Sequence, residues 1–488
     1  MYGRRSCRAG VSGAGALRTC AKAVSAAEEE LVAIATVNPA TGETLQTFDE
    51  ISDADLDIRL TAAADAHSGY RHTSFDERSA WMRAAASILD AERDQIAAMM
   101  TTEMGKTLMS ARQEVAKCAV ACRYYAENAA SLLADEPADA TAVGATRAYA
   151  TYQPLGPVLA IMPWNFPLWQ VMRFAAPALM AGNCGLLKHA SNVPQTALYL
   201  GALFARAGFP QATFQTLLVG SARVESILRD ERVVAATLTG SGPAGQSVAS
   251  IAGSEIKKVV LELGGSDPFV VMPSADLAAA ARVAAFARCL NNGQSCIAAK
   301  RFIVHDSVYD EFQQLFVKEM SGKVVGDPML DDTEVGPLAT EQQRDDIEEL
   351  VADAAAKGAR VLCGGAAPDR PGFYYQPTVL TEVTPEMRVF GEEVFGPVAT
   401  LFRVQDVDEA IDLANATEFG LGANVWTNEA AERSVFIRDL AAGMVFINGN
   451  VTSYPQLPFG GVKQSGHGRE LSGHGIREFC NVKTVWVG

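Results

Sequence analysis

The chain has 488 residues, 49% of them hydrophobic and 20% charged, which is enough for two or three folded domains. A formal net charge of −16 repels nucleic acid and anionic lipid, so neither is expected as a principal partner. Nine cysteines, an odd number with no C-x-x-C, argue for a reducing compartment and against a disulfide framework, and six histidines without H-x-x-x-H spacing give no support to a metal site.

The first 27 residues carry four arginines and Lys22 without an acid. Such a stretch reads as a mitochondrial transit peptide, a disordered tail, or translated upstream sequence from a wrongly chosen start. Residues 1–33 are therefore set apart as a disordered or non-native extension. Ordered structure is expected from "IATVNPATGETLQTF", where a strand meets turn chemistry supplied by Pro, Asn and Gly. Residues 54–133 read as helices, with Trp81, Ala84, Ala85, Ile88 and Leu89 recurring at helical spacing. Cys118 and Cys122 lie one helical turn apart and read as buried core thiols.

From residue 151 short strands and helices take turns: "GPVLAIMP", "FAAPALMAG", "CGLLKHAS", "VPQTALYLGALFARAG", "FQTLLVG", "ARVESILRD", "VVAATLTG", "PAGQSVASIAG" and "KKVVLELG". That alternation predicts parallel strands joined by crossover helices, the doubly wound α/β arrangement. A second run follows near residue 266, with "DPFVVM" as strand, "ADLAAAARVAAFARCLNNG" as one long helix and "KRFIVHD" as strand. Two α/β domains thus meet near residue 265, and ligand sites favour such junctions. The apolar stretch 158–182 is long enough to span a bilayer, but Asn165, Arg173 and three prolines mark it as a buried soluble segment.

Several segments carry residues capable of chemistry. Gly240, Gly242 and Gly245 spell G-x-G-x-x-G, with Glu262 twenty residues after Gly242, the written form of a dinucleotide fingerprint with its ribose acid. "LNNGQSC" puts Cys296 at an element boundary, where a thiol can meet a cleft and attack a carbonyl, although a lone cysteine is more often a buried structural thiol. "PWNFP" holds Asn165 in a stiff loop, "LLKHAS" puts Lys188 at a strand end, and "EEVFGPV" puts Glu393 before an apolar turn.

Taken together and in this order, "YQPLGPVLAIMPWNFPLWQ", "GLLKHASNVPQTAL", "VLELGGSDPFVV", "NNGQSCIAAKRFIVH" and "LPFGGVKQSGHGRELSGHGIREFCNVKTVW" resemble the aldehyde dehydrogenase superfamily from about residue 34 to the C-terminus. Within it the chain is most similar to the shorter, bacterial, NADP-type succinate-semialdehyde-oxidising group. The resemblance implies two doubly wound α/β domains plus a small β oligomerisation arm. Residues 34–143 and 153–263 would form the cofactor-binding domain and 264–455 the catalytic domain. Residues 144–152 and 456–488 would be the arm and C-terminal segment, strands of which pair across subunits in this family and imply a homodimer or homotetramer.

The resemblance also assigns roles. Cys296 matches the nucleophile, Asn165 and the Cys296 N–H the oxyanion hole, and Glu262 the base that activates water against a thioester. Trp164, Asn165, Lys188, Ser191, Gly240, Ser241, Leu263 and Glu393 match cofactor-contacting positions. Glu262 is thereby released from the fingerprint reading, and Gly242 becomes incidental. Where NAD-preferring relatives carry a glutamate this chain has Ser191, which implies NADP as cofactor with NAD possible but weaker. Arg173 and Ser453 match residues that bind the substrate carboxylate, while a further family arginine is replaced by Leu290. The implied activity is oxidation of succinic semialdehyde, a small aldehyde carrying a carboxylate. The alternatives are another short semialdehyde such as glutarate semialdehyde, or a cysteine-dependent acyl hydrolase without a redox step. The bacterial resemblance favours a misassigned start over a transit peptide, and hence the cytoplasm over the mitochondrial matrix.

Overall fold

A computed structural model describes residues 34–488. The expected extension over 1–33 lies outside the described residues. The chain opens on a hairpin, Ile34–Asn38 with Glu43–Phe48, and continues through four helices, Asp53–Tyr70, Phe75–Ala91, Arg93–Met104 and Leu108–Leu132. Their starts follow from local chemistry. Ser52, Ser74 and Thr107 are N-caps whose hydroxyls accept from backbone N–H groups, and Ser74 with Glu77 completes a capping box. Cys118 and Cys122 are buried in the core against the second and fifth helices, as their spacing suggests.

The stretch 158–182 divides into a buried strand, Pro157–Met162, a Pro-rich loop, and a buried helix, Trp169–Ala181, that tolerates Pro177. Among the described residues no helix is long and apolar enough to cross a membrane.

Two sheets organise the site. The first runs in the order Gly466–His467, Lys258–Glu262, Ala235–Thr239, Pro157–Met162, Cys184–His189, Phe214–Thr216. All pairs are parallel except that of Gly466–His467. The strand that comes first in sequence lies in the middle, and the order reverses between it and Ala235–Thr239. In open α/β sheets ligands bind at such a switch point, outside the carboxyl ends of the strands. The second sheet runs Arg360–Cys363, Thr378–Thr381, Val398–Val404, Ala299–His305, Asp267–Val271, Gly422–Trp426, Met444–Ile447, parallel except at its first pair. Both sheets are buried on two faces, so their strands are mostly apolar without regular polar alternation, and even Lys300 and Arg301 in Ala299–His305 are buried.

Two expectations need correction. The helix read through Gly293 ends at Cys289, because Asn291 and Asn292 stand at φ of 56° and 59° and leave the right-handed helix. The arm and the C-terminal segment do not need another subunit to form a ladder: Arg147–Pro154 and Cys480–Val487 pair antiparallel within one chain over their full lengths, with Glu136–Pro137 on the far side.

Candidate active site

The carboxyl ends of the first sheet's strands collect the predicted cofactor residues. Pro163, Trp164 and Asn165 follow Pro157–Met162, Gly240 and Ser241 follow Ala235–Thr239, and Leu263 follows Lys258–Glu262. All line one cavity of about 260 Å³ together with Glu393 and Cys296. The cavity opens at the switch point. Ser241 caps the helix Gly242–Ser254 with extended backbone and no side-chain bond to it, so the helix N-terminus is left for another anion. Of the three fingerprint glycines only Gly245 is sterically required: a Cβ there would come within 2.6 Å of Leu263 Cδ2, whereas at Gly242 it would meet nothing. The reading of Gly242 as incidental therefore has a physical basis.

Lys188 and Ser191 do not line this cavity. Lys188 sits one strand further out, in register with Ile161, and burial holds its ammonium below the ordinary lysine range while nearby Glu50 opposes that shift. Ser191 is half-buried, its carbonyl accepting from Ala35 N–H. The two stand at the same carboxyl edge as Trp164, in the position of a second compartment for an extended ligand.

The loop before Cys296 is built on three consecutive left-handed residues, Asn291, Asn292 and Gly293. Asparagine tolerates this conformation better than most residues because its amide can bond locally. Asn292 Nδ2 donates to the carbonyls of Gly105 and Pro337, and its Oδ1 accepts from Gly336 N–H. Asn291 Nδ2 donates to the carbonyls of Asn165 and Gln294. The buried Lys300 donates to the carbonyls of Ser295, Cys296 and Ala298 and lies 3.3 Å from Glu393 Oε1. Glu393 Oε1 also accepts from Gly265 N–H. The loop that carries Cys296 is thus clamped from both sides, and Glu393 is tied to it. None of Asn291, Asn292, Lys300 or Glu114 was identified as functional from the sequence.

Asn165 is buried, with Nδ2 donating to the Gln294 carbonyl at 3.2 Å. Its loop is held by Glu114, whose Oε1 accepts from the N–H groups of Leu168 and Trp169 and whose other oxygen pairs with the buried Lys106. Cys296 is half-buried, and burial pushes its thiol up to about 12 against the opposing charges of Arg173 and Lys300.

Cys296 also lines a second cavity, of about 200 Å³, whose walls include Lys117, Trp169, Arg173, Leu290 and Ser453. The structure therefore brings Arg173 and Ser453 into one cavity with Cys296, separate from the one at the switch point. Arg173 is not a free cation: its Nε lies 2.7 Å from Glu470 Oε2, and its guanidinium stacks 4.2 Å over Phe459. Lys117, which sequence reasoning passed over, donates to Ser453 Oγ at 2.8 Å. The signal was present, since Lys117 lies beside Cys118 on a helix whose inner face is otherwise buried.

Glu262 departs from its expected orientation. Its carboxyl lines neither cavity but lies toward Gly460, where a Cβ would meet Glu262 Oε1 at 2.7 Å. Both its oxygens are buried without a hydrogen-bond partner. Burial, reinforced by the neighbouring Glu470, pushes this carboxyl well above the usual range, which favours its neutral form in this position.

The geometry is that of a thiol between two cavities, one at a nucleotide-type switch point and one with cationic walls. Comparison with known proteins agrees with this arrangement. The aldehyde dehydrogenase family model matches residues 25–485. A succinate-semialdehyde dehydrogenase [NADP(+)] 1 of Mycobacterium tuberculosis (strain ATCC 25618 / H37Rv) is 63% identical over 454 residues, covering 93% of this chain and 99% of that protein. A succinate-semialdehyde dehydrogenase [NADP(+)] of Mycobacterium avium (strain 104) is 64% identical over 456 residues, covering 93% and 97%. The crystal structure of succinic semialdehyde dehydrogenase from Streptococcus pyogenes in complex with NADP+ superposes with a TM-score of 0.90 at 37% identity, covering 93% of this chain and 99% of that one. From its switch-point cavity to its Cys296 loop, the chain belongs to the aldehyde dehydrogenase family.

Proposed function

We propose that this protein oxidises succinic semialdehyde to succinate with NADP, and with NAD less well. The observation that carries the reading is that Cys296 is shared by the switch-point cavity and by the cavity lined by Arg173 and Ser453. An aldehyde carbon at the thiol thus has a cofactor compartment on one side and cations for a distal carboxylate on the other. The names of the mycobacterial relatives and of the streptococcal structure support the same substrate and cofactor.

Trp164, Asn165, Gly240, Ser241, Leu263 and Glu393 would hold the nicotinamide half and pyrophosphate, and Lys188 with Ser191 the adenosine ribose. At Ser191 a hydroxyl replaces the carboxylate that would repel a 2′-phosphate, and Lys188 supplies the positive charge. When bound, the nicotinamide serves as hydride acceptor.

The protein's part is covalent and electrostatic. Cys296 sheds its proton and its sulfur bonds to the aldehyde carbon. The oxygen that becomes negative is met by Asn165 Nδ2 and the Cys296 N–H, donors whose value is greatest as the charge develops. After oxidation the acyl group remains on Cys296 as a thioester. Glu262 takes a proton from the water that cleaves it, which requires its carboxyl to swing from Gly460 toward the thioester and ionise there. No hydrogen bond holds it in its buried position, so nothing specific opposes that swing.

In this reading residues 34–143 and 153–263 serve the cofactor and 264–455 the catalytic loop. The outer edge of Cys480–Val487, with Val482 and Trp486 exposed, serves self-association into a homodimer or homotetramer. The bacterial organisms of the relatives support a cytoplasmic location. The test is absorbance of reduced cofactor, with NADP or NAD, over a panel of aldehydes. The reading expects kcat/KM to be highest for succinic semialdehyde with NADP. A higher value for NAD, or for glutarate semialdehyde, would overturn the corresponding part.

A further inference from the structure

Resting on that reading, we propose that Lys117 is a substrate-binding residue that recognises the carboxylate of the semialdehyde, through its ammonium and through the Ser453 hydroxyl that it orients. The cavity beside Cys296 has two cations on its walls, Arg173 and Lys117. Arg173 already has a carboxylate partner, with its Nε 2.7 Å from Glu470 Oε2. Lys117 has no such partner. Among the described residues no carboxylate comes within ion-pair distance of its ammonium, and Glu114, one turn earlier on the same helix, is taken by Lys106 and the backbone of Leu168 and Trp169. The Lys117 ammonium instead stacks 4.5 Å over the Trp169 ring and donates to Ser453 Oγ. A half-buried ammonium held only by a neutral hydroxyl and a ring face is incompletely compensated. Burial, with Arg173 pushing the same way, lowers it to about 8, so an anion entering the cavity would stabilise its charged form.

Ser453 converts that charge into direction. A serine oxygen has two acceptor sites and one donor. Lys117 Nζ occupies one acceptor site at 2.8 Å and Trp169 Nε1 the other at 2.9 Å. The Ser453 hydroxyl hydrogen must then donate elsewhere, and Ser453 is buried at the cavity wall. A carboxylate placed there receives the Ser453 O–H and a further Lys117 N–H, both charge-assisted. An uncharged aldehyde of the same length gains neither. Leu290 adds an apolar side chain to the lining of the same cavity. The cation for the substrate thus comes from the helix Leu108–Leu132, not from the segment preceding the nucleophile.

The experiment compares succinic semialdehyde with butanal, its uncharged counterpart, in wild type, Lys117→Met, Lys117→Gln and Lys117→Arg, with thermal melts as a check on folding. Loss of a charge-assisted hydrogen bond should raise KM for the semialdehyde by about 10–100-fold in Lys117→Met, with a much smaller change in KM for butanal. Lys117→Gln, which keeps a donor near Ser453, should show the same loss if Lys117→Met proves unstable. Lys117→Arg should recover most of the semialdehyde preference. Equal losses for both aldehydes, or an unchanged preference in a wild type that favours the semialdehyde, would sink the role of Lys117 while leaving the proposed function standing. A wild type that oxidises butanal as well as succinic semialdehyde would overturn both.

Discussion

In the proposed reaction Cys296 and Glu262 share a difficulty: each would have to be ionised to act, and each lies where burial favours its neutral form. The physical consequence is a resting site that holds its protons. For the thiol this can be measured directly. With burial pushing it up to about 12, only a small fraction is thiolate at neutral pH, and that fraction grows about tenfold per pH unit. Alkylation of Cys296 by iodoacetamide in cofactor-free enzyme should therefore be slow at neutral pH and rise about tenfold per unit through the range 7 to 9. A fast, pH-independent rate would show a preformed thiolate. Residues of this kind were legible in the sequence where a short motif carries them. Cys296, Asn165 and Lys188 each sit in a segment of a few residues whose context is local. Lys117 meets Ser453 across 336 residues of chain, and no local pattern announces such a contact. The orientation of Glu262 was illegible for the same reason, being set by Gly460 and Glu470 some two hundred residues on.

The critical element is the Asn291–Gly293 turn. Apolar periodicity carries the helix on through "LNNG", and that reading fails because two asparagines in the left-handed region redirect the chain. Three hydrogen bonds of the Asn292 side chain offset the cost of that conformation. Asn292→Ala loses those bonds and meets the left-handed penalty with an ordinary Cβ. Denaturant titration should show a loss on the order of 3 kcal/mol, with kcat falling as the Cys296 loop loosens. Asn292→Gly, which keeps the backbone freedom, should lose less. A neutral Asn292→Ala would mean that the turn is held by its other bonds, those of Asn291 Nδ2 to the Asn165 and Gln294 carbonyls and of Arg288 Nη2 to the Gly293 carbonyl. The alternating strands and helices, by contrast, were read correctly in kind, because runs such as "GPVLAIMP" are fully buried parallel strands whose length and bounding turns identify them. The pairing of Arg147–Pro154 with Cys480–Val487 was not, since strand partners more than three hundred residues apart are a property of the fold.

At the scale of the molecule, the first sheet offers its carboxyl edge to the segments that lead into the second, and Asp267 stands where the chain passes between them. Its Oδ1 accepts from Gly422 N–H, but Oδ2 is buried without a partner. Burial raises its carboxyl from 3.8 to about 7. The sign follows: the unfolded chain releases this proton first, so the contribution is complete below pH 3.8 and is lost as pH climbs toward 7. Wild type should lose stability relative to Asp267→Asn over that interval, as measured by chemical denaturation at several pH values. Parallel curves would place the titration elsewhere. In the proposed reaction the two sheets cooperate: Cys296 would carry a succinyl thioester whose release depends on Glu262. Intact-protein and peptide mass spectrometry of Glu262→Gln, mixed with succinic semialdehyde and NADP, tests this most directly. The expected result is a succinyl adduct on the Cys296 peptide that requires both aldehyde and cofactor and persists in the variant but not in wild type. No adduct, an adduct on another residue, or an adduct formed without cofactor would contradict it.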